Sequence, residues 1–182
     1  MATANVTQDS TSAPNPAALP ADTVAFASRM FEAARAGDPE GVLVAAVEAG
    51  LPSNLTNHQG NTLLMLCAYC SPSEKVMQLS RTLLDKGADP NRLNDSGQSI
   101  IAGVVFKRVA SQCRDDLVQL LLERGANPRI GKPNAIETAL MFVKEGEDDG
   151  LGKEGLLKRF GATEEDKKRM ETEGVRIPIP GH

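Results

Sequence analysis

Apolar positions along this chain fall in short runs at helical spacing, each closed by glycine or proline and separated by polar junctions. Val24, Phe26, Met30, Phe31 and Ala34 form the first run, which Gly37 ends. Val42, Leu43, Ala46 and Val47 form the second, closed by Gly50. Asp38 is its expected cap and Pro39 its first residue, where the missing N–H costs nothing. A turn at Asn57–Gly60 then precedes a short apolar helix expected over Thr62–Cys70, with Asn61 as cap. Ser71-Pro-Ser-Glu74 offers a capping box ahead of Val76, Leu79, Leu83 and Leu84 at i, i+3, i+7, i+8 spacing. Ile100–Val109 and Asp116–Glu123 predict a third helix pair. Thr138–Lys144 and Leu156–Ala162 predict a degenerate fourth, split by an acidic, Gly-rich turn at Glu145–Gly152. Thr163–Glu173 reads as a polar helix, and prolines hold Val175–His182 extended.

The junctions repeat. Glu48-Ala-Gly-Leu-Pro-Ser-Asn54, Lys86-Gly-Ala-Asp-Pro-Asn91 and Arg124-Gly-Ala-Asn-Pro-Arg129 place their glycines 37 and 38 residues apart. Gly60-Asn-Thr62-Leu-Leu64 returns as Gly97-Gln-Ser99-Ile-Ile101, and more faintly as Glu137-Thr138-Ala-Leu140. A period of this length is that of a helical solenoid. The expected fold is therefore all-α, a stack over 22–162 with units at 22–50, 51–87, 88–125 and 126–162. Residues 1–21, rich in Ala, Thr, Ser, Asn and Pro, are expected to be a disordered arm. Residues 163–182 are expected to form the polar helix and a tail. Such a stack is an extended surface and not a pocket.

Lys86–Asn91, followed by Asn94-Asp-Ser-Gly97 and Ser99-Ile-Ile, resembles the ankyrin repeat, a β-turn followed by two antiparallel helices. The resemblance covers residues 24 to 162. Ala33–Asp38 looks like the inter-helix segment of a first repeat without a hairpin, and Leu156–Ala162 like the second helix of a last one. The family's Thr-Pro-Leu-His stretch stands here as Thr62-Leu-Leu-Met65, Ser99-Ile-Ile-Ala102 and Thr138-Ala-Leu-Met141, without the proline and the histidine. The resemblance implies a protein-binding module whose concave face recognises one partner. Carried over residue by residue, the turn tips are His58, Gln59 and Asn61, then Asp95, Ser96 and Gln98, with Asn134 and Glu137 more loosely matched. The adjoining helix positions are Tyr69, Cys70, Phe106 and Lys107. Tyr69 and Phe106 are the expected anchors, because aromatics concentrate interface energy.

Composition narrows this reading. The 182 residues are 41% hydrophobic but hold only five Phe, one Tyr and no Trp, which predicts an aliphatic core. A net charge of −4 and a pI near 5.3 argue against nucleic-acid binding. The basic residues Arg92, Lys107, Arg108, Arg114, Arg124, Arg129 and Lys132 read as a solvated face. The sequence has no apolar run of membrane-spanning length and no signal-type start. Three cysteines fit reduced thiols in the cytosol or nucleus.

Cys67-Ala-Tyr-Cys70 has C-x-x-C spacing, but Cys113, His58 and His182 complete no zinc pattern, and Cys70 sits at a helix C-terminus, where a thiolate is disfavoured. Packing is the favoured role of Cys67. The expectation is thus a non-catalytic, monomeric protein without cofactor or metal. A second reading is an escort for a basic client, resting on Glu145, Glu147, Asp148, Asp149, Glu164, Glu165 and Asp166, although nearby Lys and Arg dilute that field. A third is a zinc- or redox-active cysteine protein.

Overall fold

The computed structural model describes residues 20–70, 73–106, 111–144 and 151–173, with the side chains of 111–113 and 173 left aside. The expected arm up to residue 19, the acidic turn at 145–150 and the tail from 174 lie outside the described residues. Among these residues nine helices follow one another: α1 (Ala21–Ala36), α2 (Val42–Glu48), α3 (Leu63–Ala68), α4 (Glu74–Asp85), α5 (Ile100–Phe106), α6 (Ser111–Glu123), α7 (Ala135–Phe142), α8 (Gly152–Arg159) and α9 (Glu164–Glu173). They pair as α1·α2, α3·α4, α5·α6 and α7·α8. The first members stack in one layer, α1 on α3, α3 on α5 and α5 on α7, while α2 packs on α4 behind them and α9 closes against α7. The architecture is the all-helical solenoid that the repeat predicts.

Helix starts differ from the sequence reading where two polar residues compete for one cap. Thr62, not Asn61, caps α3, its Oγ1 accepting the Met65 N–H. Ser73 caps α4 through the Val76 N–H, so Glu74 is its first residue and not the far end of a box begun at Ser71, which is outside the described residues. Asp38 does cap α2, but from a distance. Its backbone is left-handed, Pro39–Gly41 form a turn, and its carboxylate reaches the N–H groups of Leu43 and Val44 at 3.0 and 2.9 Å. The fourth unit shows the largest difference. Asn134 and Glu137 make a reciprocal capping box, so α7 begins at Ala135, ahead of the expected Thr138. Thr138 is instead buried within the helix, its hydroxyl donating to Asn134 O.

The core is aliphatic, as the composition predicts. Met30, Leu43, Leu64, Leu79, Ile101, Leu117, Leu121 and Ile136 are all but inaccessible. Each fully buried Leu or Ile contributes roughly 1.5–3 kcal/mol.

A side chain four residues after each junction glycine fastens one unit to the next. Asn54 Nδ2 donates to Gly87 O at 2.8 Å and its Oδ1 accepts the Asp89 N–H at 2.8 Å. Asn91 repeats both bonds, to Gly125 O at 2.8 Å and from Asn127 N at 2.7 Å. Arg129 stands in the same place and donates to Gly161 O at 2.7 Å. A guanidinium cannot accept. The second half of the fastening therefore passes to Asp166 of α9, which takes the Thr163 N–H at 2.8 Å and meets both Arg129 terminal nitrogens at 3.1 Å.

Candidate functional site

Three aromatics stand at the C-terminal ends of successive first-layer helices. Tyr69 follows α3, Phe106 ends α5 and Phe142 ends α7, at sequence intervals of 106 − 69 = 37 and 142 − 106 = 36 residues. Tyr69 leans onto α5. A Cβ added at Gly103 would stand 2.3 Å from the ring's Cε1 and 2.7 Å from its hydroxyl oxygen, so the absent side chain is what admits the ring. Desolvation raises the Tyr69 phenol above its ordinary pKa. One turn beyond Gly103, Phe106 is 59% exposed, and its ring meets Phe142 edge to face with centroids 4.9 Å apart. The result is a ridge crossing three helices, seated at Tyr69 and open at Phe106.

This alters the roles of the two expected anchors. Phe106 is exposed, but Tyr69 packs partly against the core, so its truncation disturbs folding as well as any contact. Cys70 is not a surface position. It is buried, its thiol lying 3.1 and 2.7 Å from the carbonyls of Ala34 and Arg35 at the end of α1, and it serves to join the first unit to the second. Lys107 lies outside the described residues. Phe142 was missing from the sequence reading, although its place in the same near-37-residue series was visible in the chain.

The hairpin tips sit at the opposite ends of the same helices, about 10 Å away at 1.5 Å per residue. Bridges Thr56–Thr62 and Leu93–Ser99 close the two hairpins. Asn57 Oδ1 accepts the N–H groups of Gln59 and Asn61, and Asn94 Oδ1 does the same for Ser96 and Gln98. His58, Gln59, Asp95, Ser96 and Gln98 are exposed, while Asn61 is half-buried with its Oδ1 holding Asn94 Nδ2 at 2.9 Å. Leu93, 41% exposed on the second hairpin, joins this edge as a residue the sequence reading did not single out. Asn134 and Glu137 belong to the α7 capping box, and Glu137 also faces Arg169, so neither stands on a hairpin tip as loosely matched.

The C-x-x-C pair is embedded. Cys67 is buried among α3 and α4, bonded to Ser80 at 3.5 Å, and loss of water pushes its thiol up to about 12. Among the described residues no group of three or more His, Cys, Asp or Glu could hold a metal ion. No helix there is long and apolar enough to cross a membrane. Asp166, counted in the acidic field, is buried against Arg129, and Glu164 pairs with Lys167, which withdraws charge from an escort surface.

The ankyrin repeat family model matches residues 59–95, one period from tip to tip. An ankyrin repeat protein of Pseudomonas aeruginosa is 38% identical over 66 residues, which is 36% of this chain and 37% of that protein. The crystal structure of the human ASB11 ankyrin repeat domain superposes with a TM-score of 0.50 at 21% identity, covering 61% of this chain and 47% of its own. Residues 59–95 thus match an ankyrin repeat, and the stack as a whole has the fold of an ankyrin repeat domain. The chain spans less than half the length of either relative. Ankyrin repeats in general mediate contacts between proteins, and this chain's stacked hairpins and helix ends present that kind of surface.

Proposed function

We propose that this ankyrin repeat protein is a non-catalytic, monomeric binding module that holds one partner protein on its concave face, in the reducing cytosol or nucleus. One observation carries the reading. Phe106 is a large aromatic left 59% exposed, yet held in a fixed orientation by Phe142. A ring that loses little freedom on contact is a good anchor, since ordering costs otherwise offset much of the energy gained at an interface. The exposed tips His58, Gln59, Asp95, Ser96 and Gln98 supply the polar rim on the same layer.

Affinity capture from the native cell with the chain as bait, followed by mass spectrometry, names the partner. Phe106→Ala then lowers affinity by about tenfold or more, the loss of about 2 kcal/mol expected of a central aromatic. Its melting temperature changes little. A variant that binds normally places the contact elsewhere on the stack.

A further inference from the structure

We propose that the groove between α7, α8 and α9 is a docking site for the chain's own segment 175–180, which turns back along α9 to fill it. Inside the stack each first-layer helix is covered by the next, α3 by α5 and α5 by α7. Beyond α7 stands only α9, a polar helix whose one apolar residue is Met170. The cover is incomplete. It leaves a groove of about 760 Å³ with an apolar floor of Leu140, Leu157, Ala162 and Met170. Leu157 is buried, whereas Leu140, Ala162 and Met170 keep part of their surface open. None of the three aromatics of the ridge lines this groove, so it is separate from the face proposed for the partner.

The way helices end in this molecule points to the occupant. α1, α2, α4, α6 and α8 are each followed by a glycine of positive φ: Gly37, Gly50, Gly87, Gly125 and Gly161. The residue after that glycine donates its N–H to the carbonyl five positions back. Asp38 bonds Ala33, Leu51 bonds Ala46, Ala88 bonds Leu83, Ala126 bonds Leu121 and Ala162 bonds Leu157, all at 2.8–2.9 Å. Such an end reverses the chain and lays the residue after the glycine against the one it bonds. Ala162 and Leu157 lie in the groove floor by this means. α9 ends in the same grammar, Glu173-Gly174-Val175, and five positions before Val175 stands Met170. Gly174 also follows Lys167, Met170 and Glu171 at helical spacing, all three of which line the groove, so the chain leaves α9 on that side. The turn sets Val175 on Met170.

The residues that follow suit an apolar groove. Val175, Ile177 and Ile179 alternate with Arg176, Pro178 and Pro180. Ile177 and Ile179 each precede a proline, which holds them extended, so the three aliphatic side chains share one face. The prolines carry no N–H, and two donors fewer need an acceptor on a floor that offers few. Reach agrees as well. Val175 to Ile179 covers roughly 13 Å in extended form, and Met170 back to Ala162 covers roughly 12 Å at helical rise. Charge agrees with it: the Glu171 carboxylate on the rim has no ion-pair partner among the described residues, and Arg176 sits beside Val175 to meet it. A partner that entered this groove would first have to displace the segment.

Methyl NMR on the full chain tests this. Nuclear Overhauser contacts are expected from the Val175, Ile177 and Ile179 methyls to those of Leu140, Leu157 and Met170, and they should vanish in the double variant Ile177→Asp, Ile179→Asp. Both changes lie outside the helices, so the stack itself should fold. Should signal overlap hide the contacts, hydrogen exchange decides: the α9 amides should exchange about tenfold faster or more in the double variant, the loss expected when buried aliphatic side chains leave a helix they cover. An unchanged rate would overturn the proposal. So would methyls that touch no residue of the groove. Contacts that arise only between differently labelled chains in a mixed sample would give the groove to a second copy and overturn it equally.

Discussion

The two ends of the stack solve one problem differently. Each unit needs a donor and an acceptor to fasten the next, and in the middle an asparagine supplies both. At the C-terminal end Arg129 keeps the donor and hands the acceptor to Asp166, so α9 becomes the last layer. At the N-terminal end the first hairpin holds a covered Asn57 Nδ2 that meets no acceptor among the described residues. Among the described residues, one end is closed by a split fastening, and the other leaves a covered amide nitrogen without an acceptor.

The largest predicted effect sets the interior reference for this comparison. Gly60 has φ of +71°, and a Cβ there would stand 2.3 Å from Asp95 Oδ1 and 2.8 Å from Asp95 N. Gly60→Ala should cost about 2–4 kcal/mol in denaturant unfolding, combining backbone strain with a collision between hairpins. Gly97 has the same φ and nothing within 4 Å, so Gly97→Ala should cost only about 1–2 kcal/mol. Equal losses would show that the hairpins do not press on each other.

Asn94→Asp comes next. It removes a donor shared by Asn61 Oδ1 and Gln98 Oε1, both at 2.9 Å, and sets an oxygen against them, for about 1–3 kcal/mol. Asn57→Asp removes the same atom where nothing receives it, and should stay within about 0.5 kcal/mol. A matched loss at both positions would mean the first hairpin is already paired and the ends are alike.

The closed end predicts a pH response. The Arg129 guanidinium, followed by the Thr163 N–H, holds the Asp166 carboxyl down to about 2. Its folded pKa lies below the unfolded value of about 3.9, so its stabilisation is complete above that value and is lost as pH falls from about 4 towards 2. Hydrogen exchange should then show α9 losing protection before α3 or α5. Arg129→Ala should give the same loss at pH 7, and an unchanged α9 would refute the split fastening.

A modest effect belongs to the ridge between the two ends. Phe106→Ala should cost about 0.5–1.5 kcal/mol, the value of one edge-to-face aromatic pair. Tyr69→Ala should cost more, because that ring fills the space over Gly103. If Phe106→Ala proves the more damaging, Phe106 is packed and not presented.

The repeat, the two-layer helix order and the aliphatic core were legible in the sequence, because junction glycines and apolar periodicity are local properties of the chain. Helix starts were less so: Thr62 and Asn61, or Ser73 and Ser71, are equivalent caps by composition, and only the packed neighbours choose between them. Tyr69, Phe106 and Phe142 were visible as a series, yet their exposure was not, since it depends on Gly103 making room for one ring and Phe142 bracing another. Cys70 could be read as surface until α1 came to lie against it. The sequence by itself determined that similar helix-pair units recur along the chain. Which side chains face a neighbour, which are stranded at an edge, and that an arginine and an aspartate 37 residues apart together replace one asparagine, were decided only when the units stacked, because burial and hydrogen-bond partnership belong to pairs of segments and not to either alone.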